Sequence, residues 1–159
     1  MPKLLVISCS KSKHPMLKTQ KMKAFEGYTG PMFQVIHKAQ REHRWNPQVH
    51  LGIVSAKYGF LRSSDYIEDY ELRISSSLAQ ELNSQVIRAI SLWHKETPFE
   101  EIYILMGKDY LRTVYNLESH VDTKIRIEGM GGTGLGQKKL KHFINENVPN
   151  RHSLLDHVI

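Results

Sequence analysis

The chain has 159 residues, a formal net charge of +6 and 40% hydrophobic residues, with a pI near 9.4. That is enough chain for one domain with a buried core, too little for two of usual size, and too apolar for an intrinsically disordered protein. One cysteine excludes an intramolecular disulfide and a cysteine-rich zinc site and fits a reducing, cytoplasmic setting.

No apolar run approaches the roughly eighteen residues of a membrane span, and the short run before Ser8 does not suit a secretory leader, so a protein without membrane attachment is expected. The basic balance favours encounters with nucleotides, nucleic acid or other anions. Histidines 37, 43, 94, 142 and 152 do not fall into a metal-binding spacing, so no metal ligand set is expected.

Leu4-Leu5-Val6-Ile7 is an apolar run, β-branched at its end, as a strand buried on both faces requires. It breaks at once into Ser8-Cys9-Ser10-Lys11-Ser12-Lys13-His14-Pro15. Hydroxyls, ammonium groups and one thiol therefore stand at a strand's carboxyl end, where open α/β sheets place ligands. Ser8, Ser10 and Lys11 suit a phosphate or another polar anion, while Cys9 is the candidate nucleophile and Lys13 its cationic neighbour. The plainer alternatives are a basic surface turn and a small buried thiol.

From Lys11 to Pro31 the chain is polar and punctuated by Pro15, Gly27, Gly30 and Pro31, which reads as a long loop holding one helical turn. Tyr28, Thr29 and Gly30 fall in it, with Tyr28 a candidate ring for stacking on a base. Phe33, Val35, Ile36 and Ala39 recur at helical spacing and predict a helix from Met32 to Arg44 behind Pro31. Val49 to Ser55 predicts a second strand ending in Ala56-Lys57-Tyr58-Gly59. Two strand ends thus carry serine followed by lysine, and Ser55, Lys57 and Tyr58 are expected beside Ser10 and Lys13 in one pocket. Phe60 to Ile74 holds Asp65, Glu68, Asp69 and Glu71 among tyrosines and reads as an irregular, solvated segment. Folded over the first loop, Glu68 and Asp69 would meet ribose hydroxyls or serve as a general base.

Ser75 to Ser77 offer an N-cap to a helix through Lys95, with Leu78, Leu82, Val86, Ile90 and Trp93 on its apolar face. Glu101 to Met106 is a third buried strand, Asp109 to Leu117 a helix, and Lys124 to Glu128, which alternates, an edge strand. Gly129, Gly131 and Gly134 follow with G-x-G-x-x-G spacing, thickened by Gly132 and Gly136, before a helix from Gln137 to Asn145. A strand, a glycine-rich turn and a helix suit a phosphate cradle. No strand follows and no acidic residue stands about twenty positions on, so a nicotinamide cofactor is not expected, and no cofactor is assigned. The alternation of strands and helices predicts one α/β domain over residues 1–159, a three-layer sandwich with a mostly parallel sheet.

Cys9-Ser10-Lys11-Ser12-Lys13, Tyr28-Thr29-Gly30, Ser55-Ala56-Lys57-Tyr58-Gly59 and the glycine-rich stretch together resemble a family of small Rossmann-like domains of bacteria and phages. More distantly, Cys9-Ser10 with Lys13 is similar to the Cys-Ser-x-x-Lys portion of a motif in archaeosine synthases, which modify a deazaguanine base in tRNA, and to YaaA-type domains. Where that motif continues with Pro-Tyr, this chain has His14-Pro15, so the lysine-transfer chemistry does not carry over. The resemblance implies a nucleobase or nucleotide context with Ser10, Lys13, Ser55 and Lys57 at the pocket. The expectation is a metal-independent transferase or hydrolase that binds a nucleotide, nucleoside or modified base. The alternative is a non-catalytic nucleic-acid-binding or nucleotide-sensing protein whose lysines contact phosphates, marked by strong salt dependence without turnover.

Overall fold

The structure is a computed structural model that describes residues 1–149; the last ten residues of the domain expected over 1–159 lie outside the described residues. Its centre is a five-stranded sheet built from β1 (Lys3–Ser8), β3 (Val49–Ser55), β4 (Gly59–Arg62), β6 (Glu101–Met106) and β7 (Lys124–Gly129), ordered β4-β3-β1-β6-β7. β1 pairs in parallel with β3 and β6, β6 pairs in parallel with β7, and β4 alone runs antiparallel. The fold is the expected α/β sandwich with a mostly parallel sheet.

Burial explains the composition of each strand. Leu4, Leu5, Val6 and Ile7 are fully buried because β1 is central and covered on both faces. One face packs on α2 (Pro31–Arg41) and α4 (Thr133–Glu146) through Leu5, Ile7, Phe33, Ile36, Leu140 and Phe143. The other packs on α3 (Ser76–Glu96) and on 3-10 turns over Lys108–Val114 and Leu117–Ser119, through Val6, Ile90, Trp93, Ile104 and Leu117. β7 is the edge, and its partly exposed pattern follows from the missing neighbour.

Several elements differ from the sequence reading. The Lys11–Pro31 stretch contains a 3-10 turn (Pro15–Lys18), β2 (Met22–Lys23) and α1 (Ala24–Gly27). Phe60 to Ile74 is not wholly irregular, for it supplies most of β4 and all of β5 (Tyr66–Ile67), which pairs with β2. Ser55 faces Gly59 across a three-residue turn, and Gly59 takes φ +72°, the left-handed geometry of a hairpin with a bulge. The expected helix at Asp109 is instead 3-10 over Lys108–Val114. α2 stops at Arg41, three residues early, and α4 begins at Thr133 rather than Gln137, so Gly134 and Gly136 are helical.

Candidate functional site

Parallel strands bring their following loops to one end of the sheet. β1 continues by its loop to α2 on one face, whereas β6 continues to the 3-10 turns on the other. The adjacent strands β1 and β6 therefore open a crevice between their carboxyl ends, where ligands of open sheets sit. Cys9 stands directly at this crevice. Its backbone N–H donates to Val54 O at 2.9 Å, and its Sγ lies 3.1 Å from the Tyr110 hydroxyl that arrives after β6. The phenol is the stronger donor of the two.

Two more phenols, Tyr28 and Tyr70, belong to the same packed cluster as Cys9. The Tyr28 hydroxyl donates to Ser55 Oγ at 3.2 Å, Tyr28 and Tyr70 hydroxyls lie 2.7 Å apart, and Ser55 Oγ and the Tyr70 hydroxyl 2.9 Å. Each hydroxyl in this triangle carries one proton to donate and two lone pairs to accept with. Burial holds the hydroxyls of Tyr28, Tyr70 and Tyr110 well above the usual phenol range, and the neighbouring Cys9 adds to each shift. The crevice is thus walled by neutral donors near one sulfur.

Two cations converge on the same wall. Lys13 Nζ lies 4.4 Å from the centroid of the Tyr70 ring and Lys57 Nζ 5.5 Å. Among the described residues neither ammonium has a carboxylate within ion-pair distance, while Lys13 reaches only the Lys11 carbonyl at 3.3 Å. Two ammonium groups without a carboxylate make this wall positive, which favours an anion beside it.

The ends of β1 and β3 are neighbours as expected, since Ser8 pairs with Val54. Ser10 and Ser55, however, are occupied within the protein. Ser10 Oγ donates to Ser12 O at 2.7 Å and accepts from Gly30 N at 3.1 Å, and a Cβ on Gly30 would sit 2.5 Å from Ser10 Cβ. Thr29 N bonds Ser12 O, and Tyr28 bridges Lys13, so Tyr28-Thr29-Gly30 braces the loop from behind. Ser55 is fully buried and its Oγ also accepts from the N–H groups of Lys57 and Tyr58. Ser8 is half-buried at the strand end and Lys11 is exposed.

The acidic segment does fold over this region, held by the Glu68 N–H donating to the Tyr58 hydroxyl at 2.9 Å. Its carboxylates do not turn inward. Glu68 Oε1 lies 3.6 Å from Lys21 with both side chains largely exposed, and Asp69 is exposed. Tyr70, the next residue, carries the inward contact instead. Sequence reasoning noted the tyrosines of Phe60 to Ile74 only as neighbours of acids and did not single out Tyr110 within the expected helix.

The glycine-rich turn begins at the carboxyl end of β7, at the edge of the sheet. Met130 N bonds Met106 O at 3.1 Å, and Gly131 and Gly132 take φ +70° and +105°. A Cβ on Gly132 or Gly134 would meet open space, one on Gly129 only the Leu111 side chain, whereas Gly136 packs against Met130. Among the described residues no side chain caps α4 and no acidic residue lies in its first turn, so its leading N–H groups keep the helix's partial positive charge uncompensated. At strand spacing this turn stands about 10 Å from the end of β1, two strands away. Two clefts of comparable size lie away from the crevice: one beside β3 lined by Trp45, His50 and Trp93, the other between β7 and α4.

Comparison with known proteins adds the following. A family model described as a family of unknown function, DUF6884, matches residues 4–143. No curated protein matches the chain. The crystal structure of AF0587, a protein of unknown function, is similar with a TM-score of 0.50 and 15% sequence identity, over 89% of this chain and 44% of that one. The chain thus spans less than half the length of that neighbour, and the likeness is one of fold.

Proposed function

The chain belongs to the family of unknown function DUF6884, and from that premise we propose that it binds a nucleotide, nucleoside or modified base at the β1/β6 crevice and acts there as a transferase or hydrolase. The observation that carries this reading is the pair of ammonium groups, Lys13 and Lys57, each against the Tyr70 ring and without a carboxylate partner among the described residues. A phosphate satisfies both charges, and the leading N–H groups of α4 take a further anionic oxygen. Cys9 is the nucleophile in this reading, with Tyr110 donating to the sulfur. Glu68 and Asp69, exposed at the rim, meet ribose hydroxyls rather than serve as the base. The resemblance to nucleobase-modifying domains and the lone cysteine agree with a cytoplasmic enzyme of this kind. Among the described residues no helix is long and apolar enough to cross a membrane.

Native mass spectrometry of protein purified from a nucleotide-rich lysate tests the reading. The expected result is a bound mass in the nucleoside or nucleotide range, absent from a Lys13→Ala, Lys57→Ala variant. Binding of nucleic acid alone, with steep salt dependence and no turnover, would replace the enzyme by the non-catalytic alternative.

A further inference from the structure

We propose that the cleft between β7 and α4 is a second anion site that binds a phosphate group, with Arg126 as its central ligand and Lys138 at its rim. The cleft has a volume of about 470 Å³ and is lined by Tyr103, Arg126, Glu128, Leu135, Lys138, Lys139 and His142. It lies on the flank of the sheet under α4, so it does not depend on the reading of the crevice above.

Arg126 is the reason to look for a ligand. Its Nε is buried and has no hydrogen-bond partner among the described residues, and no described carboxylate lies within ion-pair distance of its guanidinium. A buried donor on a charged group is rarely left unsatisfied in a native fold. The obvious partner is present and otherwise engaged: Glu128, two residues on along β7 and on the same face, accepts from the Tyr103 hydroxyl at 2.7 Å. The guanidinium meanwhile rests against aromatic side chains, its Cζ 4.1 Å from the Tyr103 ring centroid and 5.9 Å from that of Phe143. A planar fork resting on an aromatic ring, with no carboxylate of its own, can offer two N–H groups to the oxygens of one anion.

The charge of the cleft selects the anion. Lys139 donates to Gly129 O at 2.7 Å, Lys138 is exposed without an ion-pair partner, and His142 pairs with Glu146. Arg126, Lys138 and Lys139 are three cations against the single carboxylate of Glu128, which leaves a net charge of +2. That matches a phosphate monoester dianion better than a carboxylate. Glu128 keeps lone pairs free for a hydroxyl carried beside the phosphate, and Leu135, 47% exposed, supplies an apolar lip.

The test is an NMR titration of the Arg126 Nε–H resonance with inorganic phosphate, adenosine monophosphate and a single-stranded hexanucleotide, each against wild type and Arg126→Met. The resonance should shift and saturate, and Arg126→Met should bind the best of the three probes at least about tenfold more weakly, by calorimetry, without a lower melting temperature. Saturation by inorganic phosphate or the mononucleotide assigns the phosphate to a free ligand, and saturation by the hexanucleotide alone assigns it to a strand. The signal should persist in the Lys13→Ala, Lys57→Ala background, which separates this site from the crevice. No saturable shift with any probe, or equal affinity in Arg126→Met, overturns the proposal. Should Arg126→Met fail to fold, the exposed Lys138→Ala carries the affinity arm: a loss of about threefold or more is expected, and unchanged affinity rejects the site.

Discussion

Replacing Gly59 by valine lowers the stability of the protein by about 3 kcal/mol or more, read as a shift of the urea midpoint. Two effects add. Gly59 has φ +72°, where a side chain costs roughly 1–2 kcal/mol and a β-branched one more. Its Cβ would also stand 2.2 Å from Gln85 Oε1 and 2.8 Å from Gln85 Cδ. Gln85 cannot simply withdraw, because that oxygen accepts from the Phe60 N–H at 2.9 Å, and an orphaned buried donor costs about 1–3 kcal/mol. The consequence reaches the candidate site, since Ser55, Lys57 and Tyr58 hang from this hairpin. A loss below about 1 kcal/mol would show that the turn is not held by Gln85 and that its glycine is replaceable.

The Lys13→Ala, Lys57→Ala double variant loses affinity for an adenosine monophosphate probe by roughly tenfold or more per lysine removed. Charge-assisted contacts are worth about 1.5–3 kcal/mol each, and about 1.4 kcal/mol is a factor of ten. Stability should stay within about 0.5 kcal/mol per substitution, because Lys57 is exposed and the lysines' only ring contacts are at 4.4 to 5.5 Å. Calorimetry beside a melting curve separates the two quantities. An unchanged dissociation constant in a folded double variant would remove the lysines from the site.

Much of this was legible from residue patterns. Leu4 to Ile7 and Glu101 to Met106 are buried on both faces and therefore nearly continuous in apolar residues, so length and β-branching sufficed. The Ser75 cap of α3 was visible because its side chain bonds the Leu78 N–H three residues on, a local interaction. β4 was overlooked because Phe60 and Leu61 are too short a run to show alternation. The Gly59 turn was the available signal. The start of α4 was misplaced since Thr133 to Gly136 reads as loop by propensity, yet Leu140, Phe143 and Ile144 pull the helix onto the core. Of the site, the serine and lysine loops were found from strand ends alone. Tyr70 and Tyr110 were not, because their roles depend on a segment folding across the sheet and on β6 lying beside β1, which no local pattern encodes.

The most direct measurement is a backbone amide NMR titration with adenosine monophosphate in an Arg126→Met background, where the flank cleft is silenced. If the ligand sits at the β1/β6 crevice, saturable shifts should centre on Cys9 to Lys13, Lys57 to Tyr58 and Gly107 to Tyr110, with Gly131 to Leu135 following from the helix start. Shifts centred instead on the cleft beside β3, at Trp45, His50 and Trp93, or no saturable shift at the crevice, would contradict the account.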